Sequence, residues 1–150
     1  MPTSPTPTKR FVNWTGATWT PVSGTAYTLT GVTSIAVDAG GSMLRFSADA
    51  DRFTTTAVND FNEPTITVHT ADLAWAMSLS VGMRGTFTVI HNDAKNGITP
   101  GGGAIQYTLN PAIVASCPVS GAHRQFGQAT VTFAVESTDG QTNPLTRAAL

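Results

Sequence analysis

Short runs of alternating apolar and polar residues recur along the chain, and a period of two is the signature of a half-buried β-strand. The clearest is QATVTFAVES at 128–137, where Ala129, Val131, Phe133 and Val135 share one face and Thr130 and Thr132 the other. GTFTVI at 85–90 repeats the pattern, with Phe87 and Val89 pointing one way and Thr86, Thr88 and Ile90 the other. TAYTLTGV at 25–32 and TITVHT at 65–70 read as further strands, the second introduced by Pro64, which suits a strand start or an edge. AIQYTLNPAIVASC at 104–117 reads as a strand interrupted at Asn110-Pro111. In TSIAVDAGGSMLRFSADA at 33–50, two strand-like runs flank Gly40-Gly41, a hairpin signal.

One segment has a different period. In TADLAWAMSLSV at 70–81, Leu73, Ala76, Met77 and Ser80 form a stripe at helical spacing, flanked by Trp75 and Leu79. Thr70 is placed to cap it, Asp72 to meet the positive dipole end in the first turn, and Gly82 to stop it. The stripe predicts a short helix over about 71–81 lying across a sheet, with Trp75 and Met77 packed inward. Turn-forming stretches occupy 91–103, with Asn96-Gly97 and three consecutive glycines, and 138–146, with Asp139-Gly140. MPTSPTPTKR at the start is Pro/Thr-rich and reads as an extended arm. With no repeat at a fixed period, the pattern predicts a mainly β protein. It is an antiparallel β-sandwich or barrel of six to nine strands with one short flanking α-helix, a single domain over 11–150 behind an arm at 1–10.

Composition sharpens this picture. The 150 residues suffice for one core but not readily for two. Charged residues make up 11% of the chain, less than half the usual ~25%, and 25 threonines take up much of the difference. Threonine favours a pleated, half-buried surface. A charge-poor exterior suits contact with other subunits, because interface cores are depleted in charge; a secreted β-domain rich in Thr and Ser is the alternative. The net charge of −1 provides no field that would draw the chain to nucleic acid or an anionic membrane. A single cysteine, Cys117, excludes an intrachain disulfide framework and reads as a small buried hydrophobe. The N-terminus has no apolar core of a secretory signal, and no stretch approaches the ~20 apolar residues of a membrane span, so no membrane anchor is expected. The expected setting is a cytosol, unless the protein leaves as part of something larger.

Candidate chemistry is sparse. His69, His91 and His123 lack neighbours at zinc-site spacing, although His69 and His91 could meet across adjacent strands. Asp49 and Asp51 alternate as calcium ligands do, without the glycine and distal Glu that complete an EF-hand loop. There is no G-x-S-x-G elbow and no phosphate-loop lysine after Gly101–Gly103. Arg84, His91 and Asp93 gain no catalytic partner elsewhere in the sequence. The expectation is a non-enzyme without catalytic residues, metal site or cofactor. Trp14 and Trp19 in NWTGATWT keep a glycan-stacking role open beside the commoner one of core or interface anchors.

Three stretches taken together carry a family resemblance: GVTSIAVDAGGSMLRFSADADRF, NEPTITVHTADLAWAMSLSVGMRGTFTVIHNDAKNG and HRQFGQATVTFAVESTDGQTNPLT. Their succession of strand, short helix, Gly-x-x-Gly-Thr and strand, closed by F-G-Q-A-T-V-T-F, Ser-x-Asp-Gly and Asn-Pro-Leu, resembles the tail tube proteins of tailed bacteriophages and contractile injection devices. The likeness rests on Pro64–Gly97 and His123–Thr146. A neck or tail-terminator component or a capsid decoration protein would share many of these cues.

The resemblance implies a β-sandwich or barrel with a flanking helix, whose subunits join sheets edge to edge, commonly six to a ring. Rings stack through loops and terminal arms around a lumen that passes viral DNA without binding it specifically. It implies as partners copies of the chain and other tail proteins, and as location the virion tail after synthesis in the bacterial host cytoplasm. On this sequence the ring wall falls on strands 85–90 and 128–136, with Thr86, Phe87, Thr88, Thr130 and Thr132 as contact candidates. Ring-to-ring contacts fall on the arm at 2–10, on 91–103 with Asn92, Lys95 and Asn96, and on 138–147 with Asp139, Gln141 and Asn143.

Overall fold

The computed structural model describes residues 12–50, 52–54, 56–59, 62–93 and 104–149. The described residues are mainly antiparallel β with one short helix. The strands are β1 (Val12–Pro21), β2 (Tyr27–Thr28), β3 (Val32–Asp38), β4 (Met43–Phe46), β5 (Thr56–Asn59) and β6 (Thr65–Thr70) before the helix α1 (Leu73–Met77). After it come β7 (Arg84–Asp93), β8 (Ile105–Ser116), β9 (Val119–Ser120), β10 (Gln128–Val135) and β11 (Leu145–Ala149).

Nine strands form one sheet in the order β2-β1-β7-β8-β10-β6-β3, with β11 added on β8 and β9 on β10. The order begins with β2 and ends with β3, yet only residues 29–31 separate those strands in sequence. The sheet must therefore curl until its ends meet. Leu29 N donates to Ala17 O of β1, and Thr70 Oγ1 of β6 donates to Thr30 O, so this short link fastens both ends. The result is barrel-like, with Ile35, Ile66, Val68, Phe87, Val89, Leu109, Val114, Val131 and Phe133 buried inside.

The alternation in the sequence is the alternation of burial. On β6, Ile66, Val68 and Thr70 are buried between half-buried neighbours; on β10, Ala129, Val131 and Phe133 repeat the pattern. Phe133 is the hinge of the core: its ring stacks on Trp19 at 5.0 Å and on Phe87 at 4.8 Å, and Trp75 tilts against it at 6.3 Å. Aromatic pairs in such geometries add ~0.5–1.5 kcal/mol beyond area burial. Cys117 is half-buried against this core, as a small hydrophobe should be.

Three local expectations are corrected. The segment around Gly40-Gly41 does not fold β3 and β4 into a hairpin. β3 pairs with β6, while β4 pairs with β5 in a separate two-stranded ribbon. Gly40 has φ +63°, and a side chain there would run into the Glu63 carbonyl, so it serves a close chain crossing. The helix is five residues rather than eleven. Its cap is Asp72, whose Oδ1 accepts from Trp75 N at 3.2 Å, whereas Thr70 closes β6 and its Oγ1 accepts from Asp72 N at 2.9 Å. The Ser78 hydroxyl takes the Trp75 carbonyl at 2.6 Å and tight i→i−3 bonds follow, ending the helix well before Gly82. Trp75 packs inward as expected, but Met77 is 72% exposed because the shortened helix turns it outward. Finally, β8 continues through Asn110-Pro111 as one strand, but the cis peptide bond there coincides with a break in its register on β7 and with the change of its other neighbour from β11 to β10.

Candidate subunit interface

β7 and β10 are interior strands, each hydrogen-bonded on both sides, so what they offer a neighbour is their outer face. On that face the threonines fall into register. Thr28 of β2 opposes Thr18 of β1, which opposes Thr88 of β7, then Thr108 of β8 and Thr146 of β11. Thr86 opposes Thr20 in the next row. β-Branched hydroxyl side chains placed opposite one another stabilise the sheet and leave an uncharged surface able to donate and accept hydrogen bonds. Seven of the chain's 25 threonines lie in these rows.

The other wall candidates lie elsewhere. Thr132 opposes Thr67 of β6, and Thr130 Oγ1 lies 3.0 Å from His69 Nδ1. On β8 the partner of Thr88 is Thr108 and that of Thr132 is Ser116, so the two pairs sit roughly 25 Å apart along one strand. Phe87 is corrected outright: at 0% exposure it belongs to the barrel core beneath Phe133 and cannot touch a neighbour. Asn92 lies in β7 opposite Asn13, while Lys95, Asn96 and the arm at 2–10 fall outside the described residues.

The loop before β11 is built around Asp139. Its carboxylate accepts from Thr142 Oγ1 at 2.6 Å, from the backbone N–H of Thr142 and Gln141 at 2.8 Å each, and from Ser137 Oγ at 3.1 Å. These bonds, the Thr142 hydroxyl and amide foremost, hold the Asp139 carboxyl well below the usual carboxylate range. Asn143 Oδ1 accepts from Leu145 N at 3.0 Å. Asp139 and Asn143 thus shape their own loop, and all three residues, Gln141 among them, are exposed.

Two apolar features of the described residues were not legible as sites. The β4–β5 ribbon stands apart from the main sheet and exposes Met43, Leu44 and Phe46, with Phe53 beyond it at 83% exposure. Met43, Leu44 and Phe46 occupy both faces of their strand, a signal in SMLRFS that period-two reading passes over. The second feature is a groove of about 380 Å³ lined by Trp19, Pro21, Tyr27, Ala74, Trp75, Leu79 and Met83 among others. Trp19 and Trp75 are nearly wholly buried, and among the described residues the Nε1 of each has no hydrogen-bond acceptor. A buried donor left so costs about 1–3 kcal/mol. These residues come from β1, β2, α1 and the segment between α1 and β7, and no sequence spacing links them.

At the groove's rim the Tyr27 hydroxyl donates to Asp72 Oδ2 at 2.8 Å, and Thr30 donates to the same oxygen through N at 3.3 Å and Oγ1 at 3.2 Å. Burial pushes the Asp72 carboxyl up, but the bonds from Tyr27, Trp75 and Thr30 together outweigh it and hold it below its ordinary value. The same bond to Asp72, with burial and the carboxylate's charge, raises the Tyr27 hydroxyl above its own.

Several anticipated groupings are absent. His69 on β6 and His91 on β7 are separated by β8 and β10, so they do not meet. Asp49 lies in an exposed turn, and Asp51 falls outside the described residues. Among the described residues no three His, Cys, Asp or Glu side chains come together to hold a metal, and no helix is long and apolar enough to cross a membrane. Arg84 forms a surface ion pair with Glu136 at 2.8 Å. The Trp14–Trp19 sugar platform is overturned: Trp19 is 2% exposed, and Trp14 is packed against His91 and Tyr107.

No family model matches this sequence, and no curated protein matches it. Among solved structures the chain is similar to one from the cryo-EM structure of the anti-feeding prophage (AFP) baseplate, 6-fold symmetrised. The similarity covers 97% of both chains at 8% identity with a TM-score of 0.49, too weak a likeness to carry an argument about function.

Proposed function

We propose that the chain is a non-enzymatic structural subunit of a bacteriophage tail that assembles with its own copies into stacked rings, six to a ring by the resemblance, enclosing a conduit for DNA. The observation that carries this reading is the apolar exterior. Met43, Leu44, Phe46, Phe53, Val22, Met77, Val81 and Phe126 are all strongly exposed on a chain with 11% charged residues. A free monomer rarely presents so much. The β4–β5 ribbon adds to this, because a two-stranded ribbon is at best marginally stable alone in water and gains from a surface to lie against.

Two further features agree. β3 ends the strand order, and its outer edge is a template for pairing that ring closure would satisfy. The threonine rows give a wall without net charge, suited to a lumen that should not hold DNA. Sedimentation velocity of the purified full chain over a range of concentrations tests the reading. The expected result is a fast, concentration-dependent species that Leu44→Asp returns to monomer; a monomer at every concentration, with or without other tail proteins, would refute it.

A further inference from the structure

The loop between β9 and β10 is built as a projection. Its feet are Gly121 and Gly127, so close that a Cβ on Gly121 would come within 3.0 Å of the Gly127 Cα. Between them Gln125 N donates to Ala122 O at 3.0 Å, closing a turn whose third residue, Arg124, has φ +63°. A turn position with positive φ normally carries glycine or asparagine, so an arginine there holds strained backbone, and such strain gathers at functional sites. Next to the turn Phe126 is 99% exposed, its ring in contact with almost nothing of its own chain.

The groove beside Tyr27 and α1 lies at the same end of the barrel and on another side of it. Towards the end of β8, Ile113 pairs with Arg84 at the start of β7 and Ser116 with Thr132 of β10, and Gly85 pairs with Pro21 at the end of β1. These strand ends therefore share one end of the barrel. Around it, β1 and β10 are separated by β7 and β8 in one direction and by β6, β3 and β2 in the other. The helix stands between loop and groove: Leu73 packs against Gly127, while Ala74, Trp75 and Leu79 line the groove.

We propose that Phe126 of one copy seats in this groove of a neighbouring copy, side by side with it, and brings Arg124 to Asp72 at the rim. The inference rests on the self-assembly reading above and adds a contact that lies on no sheet edge and on no terminal arm. Charge complementarity selects the second copy as the occupant. Asp72 accepts four hydrogen bonds but forms no ion pair among the described residues, and Arg84, just past Met83, is already taken by Glu136. Arg124, two residues before Phe126, likewise forms no ion pair among the described residues. Seating the ring carries an unclaimed cation to an unclaimed carboxylate, which fixes the register of the contact. The groove, about 380 Å³ and mostly apolar, is of the size that takes a ring, and a buried aromatic anchor is what dominates interface energy. Because loop and groove share one end, copies joined through them stand beside one another rather than end to end. One copy's loop in the next copy's groove is a heterologous contact, which generates a ring when the rotation between copies closes.

The test uses the full chain with Cys117 changed to Ser, so that introduced cysteines are its only thiols. Gln125→Cys, beside Phe126, and Ala74→Cys, at an exposed groove position, are made singly, mixed and combined in one chain. Oxidation should join the mixture into cross-linked dimers, leave each single variant uncross-linked, and give a ladder of higher species with the double variant. Phe126→Ala and Arg124→Gly both alter exposed loop positions, and the second relieves the strained backbone, so neither should lower the melting temperature. Phe126→Ala should raise the concentration needed for association about tenfold, and Arg124→Gly should raise it less. Association unchanged by Phe126→Ala, with no cross-link in the mixture, would overturn the inference while leaving ring assembly standing. A ladder without closed rings in electron micrographs would uphold the contact and sink the ring reading instead. A double variant that stops at dimers would show two copies exchanging loops about a two-fold axis and would overturn the side-by-side contact. An Arg124→Gly chain that associates as readily as the unaltered one would overturn the pairing with Asp72.

Discussion

The Tyr27 hydroxyl donates a 2.8 Å hydrogen bond to Asp72 Oδ2, joining the two-residue strand β2 to the cap of α1 across 45 residues of sequence. The same carboxylate caps the helix at Trp75 N and holds Thr30 in the link that fastens the two ends of the sheet. One side chain thus sets where the helix begins and how the barrel meets itself. Asp72→Ala should cost about 1–3 kcal/mol, as a lost cap with buried donors left over. Chemical denaturation should show the loss without a change in slope, and Asp72→Asn should recover part of it.

The Tyr27–Asp72 pair also has a pH signature. Asp72 is depressed in the fold, so its contribution is present above the unfolded carboxylate pKa of about 3.9 and is lost as pH falls through the folded value. Tyr27 is raised, so its contribution is present below the unfolded pKa of about 10 and is lost as pH rises through the folded value. Melting temperature plotted against pH should have a plateau between those limits. Tyr27→Phe should flatten the alkaline fall, and an unchanged alkaline limb in that variant would refute the assignment.

Phe133 should be the costliest core truncation. Its ring is fully buried against Trp19, Phe87 and Trp75, so Phe133→Ala removes three aromatic contacts and opens a cavity. The expected loss is about 3–5 kcal/mol, read from urea unfolding, with Phe133→Leu losing less.

Gly85, the second glycine of GMRGTFT, should resist replacement for a reason unrelated to turning. A Cβ there would strike the Thr20 carbonyl and come within 2.9 Å of the Trp19 ring. Gly85→Ala should lower the melting temperature and disturb Trp19 fluorescence, whereas a merely flexible glycine would accept Ala with little change.

The Asp139 loop should loosen in acid while the sheet persists. The depressed carboxyl keeps the loop's bonds above the unfolded carboxylate range, and they are lost as pH drops through the folded value. Asp139→Asn should speed amide exchange at Gln141 and Thr142 at neutral pH, since both amides donate to Asp139.

Much of the barrel was legible because period-two patterning encodes burial directly. β6, β7 and β10 place Val68, Phe87 and Val131 inward as their alternation demands. The sequence extends the helix too far because Leu79 and Ser80 continue the helical stripe, yet the Ser78 hydroxyl competes for the carbonyl that would continue it. The Gly40-Gly41 turn was misassigned because a hairpin signal does not say which strands pair, and β3 finds β6 some 30 residues on. The candidate surfaces were less legible still. Thr86 and Thr88 were found through alternation, but the row linking Thr28, Thr18, Thr88, Thr108 and Thr146 exists only through register. The Trp19–Tyr27–Trp75 groove is assembled from three separate segments, and Phe87 looked like a wall residue until the curl of the sheet buried it.

Negative-stain electron microscopy of the purified full chain at high concentration tests the central claim most directly. Self-assembly through the apolar exterior predicts closed rings with a central opening, stacking into tubes as concentration rises. Monodisperse particles of monomer size at every concentration, alone and with other tail proteins, would contradict it.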